Sequence, residues 1–154
     1  MVKTKKAVIG SSEWCALPQL DLPAIKIKID TGAKTSALHA DEVEVIEKED
    51  GTYLRFSVHP IQRNQTVTRI CEAKAIDFRY ITSSNGSREK RYVIRTDFKI
   101  GNFCFTSDVT LTTRYGMKYR MLLGKEALIQ GGFLVDVTKD FVQGHIKNPK
   151  KLYL

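Results

Sequence analysis

Apolar and polar residues alternate along most of this chain, and alternation with a period of two is typical of β-strands with one buried face. The clearest example is Ala24–Ile29, in which isoleucines alternate with lysines. Stretches with helical spacing are almost absent. We therefore predict a mostly β protein, with strands at Ala24–Ile29, Val43–Glu47, Tyr53–Val58, Val67–Ile81, Arg91–Ile100, Phe103–Thr112, Arg120–Leu123 and Phe133–Val137.

Glycine dipeptides separate several of these strands. Tight turns whose central residues need a positive φ are favoured at Asp50-Gly51, Asn85-Gly86 and Gly101-Asn102, so each dipeptide predicts a β-hairpin. One short helix is predicted at Lys125–Gln130, because Gly131-Gly132 supplies the left-handed conformation that ends a helix. The pattern thus predicts hairpin-connected strands and one C-terminal helix.

Length and composition are those of a small protein from a reducing compartment. A chain of 154 residues can bury a core without disulfides and is too short for two catalytic halves, so we expect a single domain over residues 1–154. Three widely separated cysteines argue against a secreted disulfide framework, and we interpret them as small apolar strand residues. Neither a signal peptide nor a membrane span is recognisable, so we expect a cytoplasmic protein.

A carboxylate stands where the run Ala24–Ile29 ends, in the sequence Asp30-Thr31-Gly32-Ala33. A rigidly held carboxylate can activate water if a like group lies within hydrogen-bonding distance, because two such close groups share a proton. The glycine permits a close backbone approach, and the threonine hydroxyl can stabilise the turn. Taken alone, the same motif is also typical of an ordinary turn, and both interpretations stand at this point.

A second segment makes the motif more specific. Ile27–Ala33 resembles the active-site strand of retropepsin-like aspartic proteases, and Met121–Leu128 resembles their apolar strand that leads through a glycine into a short helix. Other segments resemble more closely a small bacterial retropepsin-like family often labelled "ATP-dependent zinc protease": Trp14–Pro18, Lys28–Ala40, and Ser84-Asn85-Gly86 with Arg91. The resemblance covers nearly the whole chain and implies a closed acid-protease barrel.

The resemblance implies a role for each matching residue. Asp30 would be the catalytic aspartate, Thr31 the residue whose hydroxyl braces two active-site loops across a dimer, and Gly32 the turn. The Asn85-Gly86 hairpin would be the flap over a bound peptide, and the substrate-binding residues would be Ala33, Lys34, Ser84, Asn85, Gly86, Arg88 and Arg91. Because the chain contains one Asp-Thr-Gly, the resemblance implies a homodimer. A terminal strand such as Lys150–Leu154 is a candidate for the interchain sheet.

Residue spacing argues against both words of that family label. A zinc site usually takes two ligands from positions close in sequence, whereas His39, His59 and His145 stand alone and no two cysteines are close. The chain also has no Gly-x-x-x-x-Gly-Lys-Ser/Thr loop for ATP phosphates. We therefore predict no metal and no cofactor. His39 is interpreted as a hydrogen-bonded structural histidine, with a substrate contact as the alternative.

The basic composition predicts an acidic partner. The formal charge is +8, which attracts anionic groups, and several cations lie near the motif or the predicted flap: Lys34, Arg79, Arg88, Lys90, Arg91 and Arg95. They predict a groove for acidic peptide, and the alternative for each is a solvated strand face. The resemblance adds an association with a glutamate ligase that extends the C-terminus of a ribosomal protein, which implies a glutamate-rich C-terminal tail as substrate.

Three functions stay open on the sequence. The leading hypothesis is a homodimeric aspartic endopeptidase in which paired Asp30 carboxylates activate water. The second is a non-catalytic basic β-barrel module for ribosomal protein or RNA. Nucleic acid is disfavoured, because no aromatic RNP-type motif is present and Phe98, Phe103 and Phe105 are interpreted as strand core. The third and weakest hypothesis is a metal hydrolase.

Overall fold

A computed structural model describes residues 6–82, 86–113 and 118–154. Over these ranges, no helix is both long and apolar enough to span a bilayer. The predicted strands and helix are confirmed, with ends shifted by three residues or fewer, whereas β1, β2 and β4 carry no clear alternation and were not predicted. The strands are β1 (Ala7–Ile9), β2 (Ser12–Leu17), β3 (Leu22–Ile29), β4 (Ser36–His39), β5 (Asp41–Lys48), β6 (Gly51–Val58), β7 (Arg69–Thr82), β8 (Arg88–Ile100), β9 (Phe103–Thr112), β10 (Met121–Leu123) and β11 (Phe133–Val135), and the α-helix is α1 (Lys125–Gly131).

A closed barrel forms the centre of the fold. In the described part of the chain, hydrogen-bonded neighbours follow the order β2-β3-β10-β4-β9-β8, and β8 returns to β2 through the pair Ala16 and Lys99. Closure leaves this ring of strands without an unpaired edge. The predicted fold class, a mostly β closed barrel with one short C-terminal helix, is confirmed.

The insertion of β10 between β3 and β4 determines where the candidate site lies. β10 runs parallel to β3, with Met121 opposite Ile27 and Leu123 opposite Ile29, and antiparallel to β4. Parallel neighbours end at the same edge of a sheet. The residues that follow the two strands, Asp30 and Gly124, therefore lie side by side.

The barrel interior is filled by the apolar face that alternation predicted. Ile25, Ile27 and Ile29 of β3 are buried, whereas the intervening lysines lie on the outer face. Phe98 is also buried, and Phe105 packs against it with ring centroids 5.1 Å apart. Phe103 is 38% exposed, so its predicted place in the core is wrong. It is the first residue after the turn that joins β8 to β9, where the strand has not yet entered the barrel.

The three cysteines are free, and two of them behave as predicted. Cys15 and Cys71 are buried, and burial raises the pKa of Cys15 to about 12 and that of Cys71 to about 11. Both thiols therefore remain protonated at neutral pH and pack as small apolar groups. Cys104 is exposed on β9, which differs from its predicted role as buried filler.

All three predicted hairpins are confirmed. Lys48 faces Gly51 across the turn between β5 and β6, and Ile100 faces Phe103 across the turn between β8 and β9. In the third hairpin Thr82 of β7 pairs with Arg88 of β8, while residues 83–85 at its tip lie outside the described residues. The first half of β7 pairs with β6 and its second half with β8. We call Ala75–Thr82 with Arg88–Ile94 the flap hairpin.

The C-terminal segment packs on the barrel of its own chain. Pro149–Tyr153 is a 3-10 helix, and the Tyr153 hydroxyl accepts from the N–H of Ala24 (3.2 Å) and donates to its carbonyl. Arg69 donates to the carbonyl of Tyr153 at 3.1 Å, and burial raises the pKa of the tyrosine to about 12. The expectation of a terminal strand at Lys150–Leu154 is wrong, because these contacts hold the segment against β3 as a helical turn.

Candidate active site

Asp30 lies in a tight turn that follows β3. Its N–H donates to the carbonyl of Leu123 at 2.9 Å, and its carboxylate oxygen Oδ1 accepts the N–H of Gly32 at 3.0 Å. The N–H of Ala33 closes the turn on the carbonyl of Asp30 at 3.3 Å. Asp30 is half-buried, whereas Thr31 and Gly32 are exposed. The turn therefore presents a carboxylate of fixed orientation at the surface, next to two residues accessible to another molecule.

The start of α1 holds this turn from the other side. Lys125 and Glu126 donate their N–H groups to the carbonyls of Ala33 (2.7 Å) and Lys34 (3.0 Å), and the N–H of Gly124 donates to the Ser36 hydroxyl (2.9 Å). A side chain at position 124 would lie 2.7–2.9 Å from backbone atoms of residues 35 and 36. Only glycine permits this approach, so the two sequence segments that made up the resemblance form one unit.

Replacing Gly124 by alanine is expected to lower the free energy of unfolding by about 1–3 kcal/mol, as for other overpacked sites. Because the new methyl group must push residues 35 and 36 away, the backbone NMR signals of residues 30–36 should shift. The control is Gly132→Ala, at φ 68° with no atom near the added carbon, which strains the chain without touching the turn. Unchanged signals of residues 30–36 in Gly124→Ala would contradict this account.

The flap hairpin contacts the same turn through Arg79. Its guanidinium donates from Nη1 to the Thr35 hydroxyl at 2.8 Å, and its Nε lies 3.7 Å from Asp77. Arg91 is the cross-strand partner of Arg79, and it is largely buried beside Glu89 at 3.2 Å. Two arginines of the hairpin thus face the Asp30 turn, and one of them bonds to it directly.

Strand alternation divides the hairpin's cations between two faces. Arg79 and Arg91 lie on the face toward Thr35, whereas Arg88 and Lys90 lie on the opposite face. There the Arg88 guanidinium lies 4.3 Å from the ring centroid of Tyr80. Arg88 and Arg91, which the sequence grouped as substrate-binding residues, are therefore separated by the thickness of the hairpin.

The other predicted substrate-binding residues are placed as follows. Lys34 is exposed, with its ammonium 4.0 Å from Glu126 of α1. Gly86 is exposed with φ 85°, and Ser84 and Asn85 lie outside the described residues. Arg95, which the sequence included among the flap cations, forms a 2.8 Å ion pair with Asp108 across β8 and β9. Ala33 and Lys34 are thus the predicted binding residues that adjoin Asp30 directly.

His39 lies in a buried polar cluster on the far end of β4. Its Nε2 is 3.4 Å from Asp41, whose second oxygen is 3.6 Å from Nε2 of His59. The burial and the nearby carboxylate agree with the interpretation of His39 as a structural residue. Among residues 6–82, 86–113 and 118–154, no group of three or more histidine, cysteine or acidic side chains is arranged to hold a metal ion.

Glu13 is a buried structural carboxylate that the sequence does not reveal. It is fully buried on β2, and its carboxylate accepts the N–H groups of Gly10 (2.7 Å), Val142 (2.9 Å) and Gln143 (3.0 Å). These bonds tie the loop after β11 to β2, which pairs in the barrel with the strand that ends before Asp30. The local sequence gives no signal that Glu13 is buried, because two of the three donors, Val142 and Gln143, come from a distant segment of the chain.

Similarity to known proteins accords with this geometry. A family model described as "RimB-like: Retropepsin-like aspartic endopeptidase RimB" matches residues 8–145. A "Probable alpha-L-glutamate ligase" of Shewanella halifaxensis is 45% identical over 139 residues, which cover 90% of this chain and 30% of that protein. A protein of the same name from Parasynechococcus marenigrum is 42% identical over 133 residues, 86% of this chain and 28% of that protein.

A solved structure extends the similarity to the fold. The crystal structure of Lpg0085 from Legionella pneumophila, a protein described as having unknown function, superposes with a TM-score of 0.73 and 29% identity. The match covers 90% of this chain and 99% of that one. The chain spans less than a third of the length of the glutamate ligase relatives. On the family match and the barrel with Asp30 at its edge, this chain belongs to the RimB-like family of retropepsin-like aspartic endopeptidases.

Proposed function

We propose that the protein is an aspartic endopeptidase that acts as a homodimer on acidic, glutamate-rich peptide tails. The observation that carries this proposal is the Asp30 turn, held by Leu123 on one side and by the first residues of α1 on the other. The Asp30 carboxylate is fixed in this way beside the exposed Thr31 and Gly32, so it can come into contact with the Asp30 carboxylate of another copy of the chain. The chain has one such motif, so the second carboxylate comes from a second copy.

The chemistry follows from bringing the two carboxylates together. Two like charges in contact cannot both remain ionised, and the pair therefore holds one proton. The ionised Asp30 takes a proton from water as the water oxygen attacks the scissile carbonyl carbon, while the protonated Asp30 hydrogen-bonds to the carbonyl oxygen. The amine then leaves with a proton from the pair, and both products are released without any covalent enzyme intermediate.

Charge supports an acidic substrate. Arg79 and Arg91 face the Asp30 turn from the flap hairpin, Lys34 follows the motif, and the whole chain carries a formal charge of +8. Peptide carboxylates would replace the long contacts that these cations now make with Asp77 and Glu126, at 3.7 Å and 4.0 Å. The relatives named as probable glutamate ligases support glutamate as the acidic residue.

The test compares two peptides of equal length that carry either glutamate or glutamine around the same central bond. We expect the protein to cleave the glutamate peptide at least tenfold more efficiently, with activity rising at protein concentrations where sedimentation shows a dimer. Mass spectrometry identifies the cleaved bond. Absence of cleavage by a dimer, together with salt-sensitive binding of acidic protein or RNA, would instead favour the non-catalytic binding module.

A further inference from the structure

A basic cleft lies on the outer surface of the barrel, apart from the Asp30 turn. Its volume is about 500 Å³, and its walls include Trp14, Lys26, Arg63 and Lys118 together with the apolar Ile61 and Ile146. The described residues of its lining include three cations and no carboxylate. We call it the Trp14 cleft.

The cations of the cleft have no anionic partner among the residues that the structure describes. Among the described residues, none of the ion pairs within 4.0 Å involves Lys26, Arg63 or Lys118, whereas seven other lysines and arginines form such pairs. Lys26 instead places its ammonium 5.3 Å from the ring centroid of Trp14. Three uncompensated cations around one cavity repel each other, and an anionic ligand would relieve that repulsion.

The backbone at Arg63 adds a second, independent observation. Arg63 has φ 56°, in the left-handed region that non-glycine residues seldom adopt. Such conformations persist mainly where the surrounding structure has a use for them, and they are concentrated at binding sites. Arg63 lies in the turn in which the N–H of Asn64 donates to the carbonyl of Ile61 at 3.3 Å, and the residue lines the cleft.

Strand β3 connects the cleft to the candidate active site. Its inward face carries isoleucines and its outward face carries Lys26 and then Lys28, and Asp30 is the first residue after the strand. At roughly 3.3 Å per residue, Lys26 is about 13 Å from Asp30 along the strand. The ammonium groups of Lys28 and Lys118 lie 5.7 Å and 6.0 Å from the ring centroid of Tyr119. Cations thus continue from the cleft toward the Asp30 turn.

One carboxylate lies beside this route. Asp140 accepts a hydrogen bond from the Ser11 hydroxyl at 2.7 Å, and this bond, with some help from the charge of Lys28, keeps the pKa of Asp140 below its usual range. Asp140 therefore remains ionised at neutral pH. It neutralises part of the charge at Lys28 but does not line the Trp14 cleft.

We infer that the Trp14 cleft is a second binding site for the acidic peptide, one that receives carboxylate side chains about four residues from the bond held at Asp30. The inference rests on the proposed function for its substrate. An extended peptide has the same rise per residue as β3, so four residues span the distance from Asp30 to Lys26. Multiply charged tails would then bind more tightly than short peptides that reach only the Asp30 turn.

The cleft favours peptide over single-stranded RNA. Nucleic acid that binds by charge also requires free aromatic faces on which its bases stack. The aromatic wall here is Trp14, which is stacked on Phe141 with centroids 6.3 Å apart and is approached by the Lys26 ammonium. The carboxylates of a peptide, by contrast, can bind to the cations of the cleft without a free aromatic face.

The test uses Trp14, the one tryptophan of the chain, as a reporter. In the Asp30→Asn form of the 154-residue chain, which is expected to bind without turnover, an eight-residue oligoglutamate should change Trp14 fluorescence at low salt, and salt should reverse the change. Arg63→Gln combined with Lys118→Gln should weaken binding about tenfold. The control, Arg55→Gln with Lys74→Gln, removes the same charge from exposed positions on β6 and β7 and should weaken binding less than twofold.

Several outcomes would overturn the inference. The peptide could bind without any change in Trp14 fluorescence, or both double variants could weaken peptide binding equally. An oligonucleotide of equal charge could also bind the cleft more tightly than the peptide. Failure of the proposed function is distinguishable from these results. If wild-type protein cleaves short and eight-residue peptides with the same KM, the cleft proposal fails and the hydrolase stands. If the peptide binds at Trp14 and is never cleaved, the proposed hydrolase fails and the cleft remains a binding site for acidic peptide.

Discussion

Asp30→Asn protein is expected to lose hydrolysis of acidic peptides by about 10³-fold or more, because a neutral amide cannot take the proton from the attacking water. The fold should survive the change. The Oδ1 atom of asparagine is still an acceptor for the N–H of Gly32, now at 3.0 Å, and the backbone bond to Leu123 does not involve the side chain. The measurement is kcat/KM on a glutamate peptide, with thermal unfolding recorded on the same sample.

A mixed dimer makes the Asp30 prediction specific. When differently tagged wild-type and Asp30→Asn chains are combined, the heterodimer should also be inactive, since the proposed chemistry needs one carboxylate from each copy. Asp50→Asn, at the turn between β5 and β6, is the control and should retain full activity. Activity in the heterodimer would mean that a single carboxylate suffices, and the paired mechanism would then be wrong.

Glu13→Ala is expected to lower the free energy of unfolding by about 3 kcal/mol or more, a large part of the stability of a protein this size. The carboxylate now accepts three backbone N–H groups at 2.7–3.0 Å. Its removal leaves the buried N–H of Gly10 and the part-buried N–H groups of Val142 and Gln143 without this acceptor, and an orphaned buried donor is destabilising by about 1–3 kcal/mol. Urea unfolding followed by circular dichroism measures the effect.

Two comparisons identify the cause of the Glu13 effect. Glu13→Gln keeps one carbonyl acceptor and should recover part of the lost free energy of unfolding. Glu44→Ala, on the exposed side of β5, should change that free energy by less than about 0.5 kcal/mol. The loss of these bonds should also affect the backbone next to the candidate site. Ser11, two residues before Glu13, accepts the N–H of Ile29 at 2.9 Å, immediately before Asp30. Equal stabilities of the Ala and Gln variants would argue that packing, rather than the three bonds, makes Glu13 important.

The elements found from the sequence are those whose signal is local. Alternation predicts β3 and β5–β9, and the paired glycine turns predict all three hairpins, because each signal lies within the residues that form the element. β4 was missed because all four of its residues are buried, and a strand covered on both faces shows no alternation. The C-terminal turn was also missed, because its conformation depends on the contact between Tyr153 and Ala24.

The sequence by itself determines a mostly β fold, the position of Asp30 at a strand end and a second strand that ends in a glycine, since strand period and turn chemistry are properties of short stretches. The closed barrel was implied by the resemblance. The tertiary structure alone decides which charges meet. It brings Arg79 onto Thr35, places Arg88 and Arg91 on opposite faces of the hairpin, brings the N–H groups of Val142 and Gln143 to Glu13 and gathers the cations of the Trp14 cleft. These groupings join residues far apart in the chain, and no local pattern records such long-range contacts.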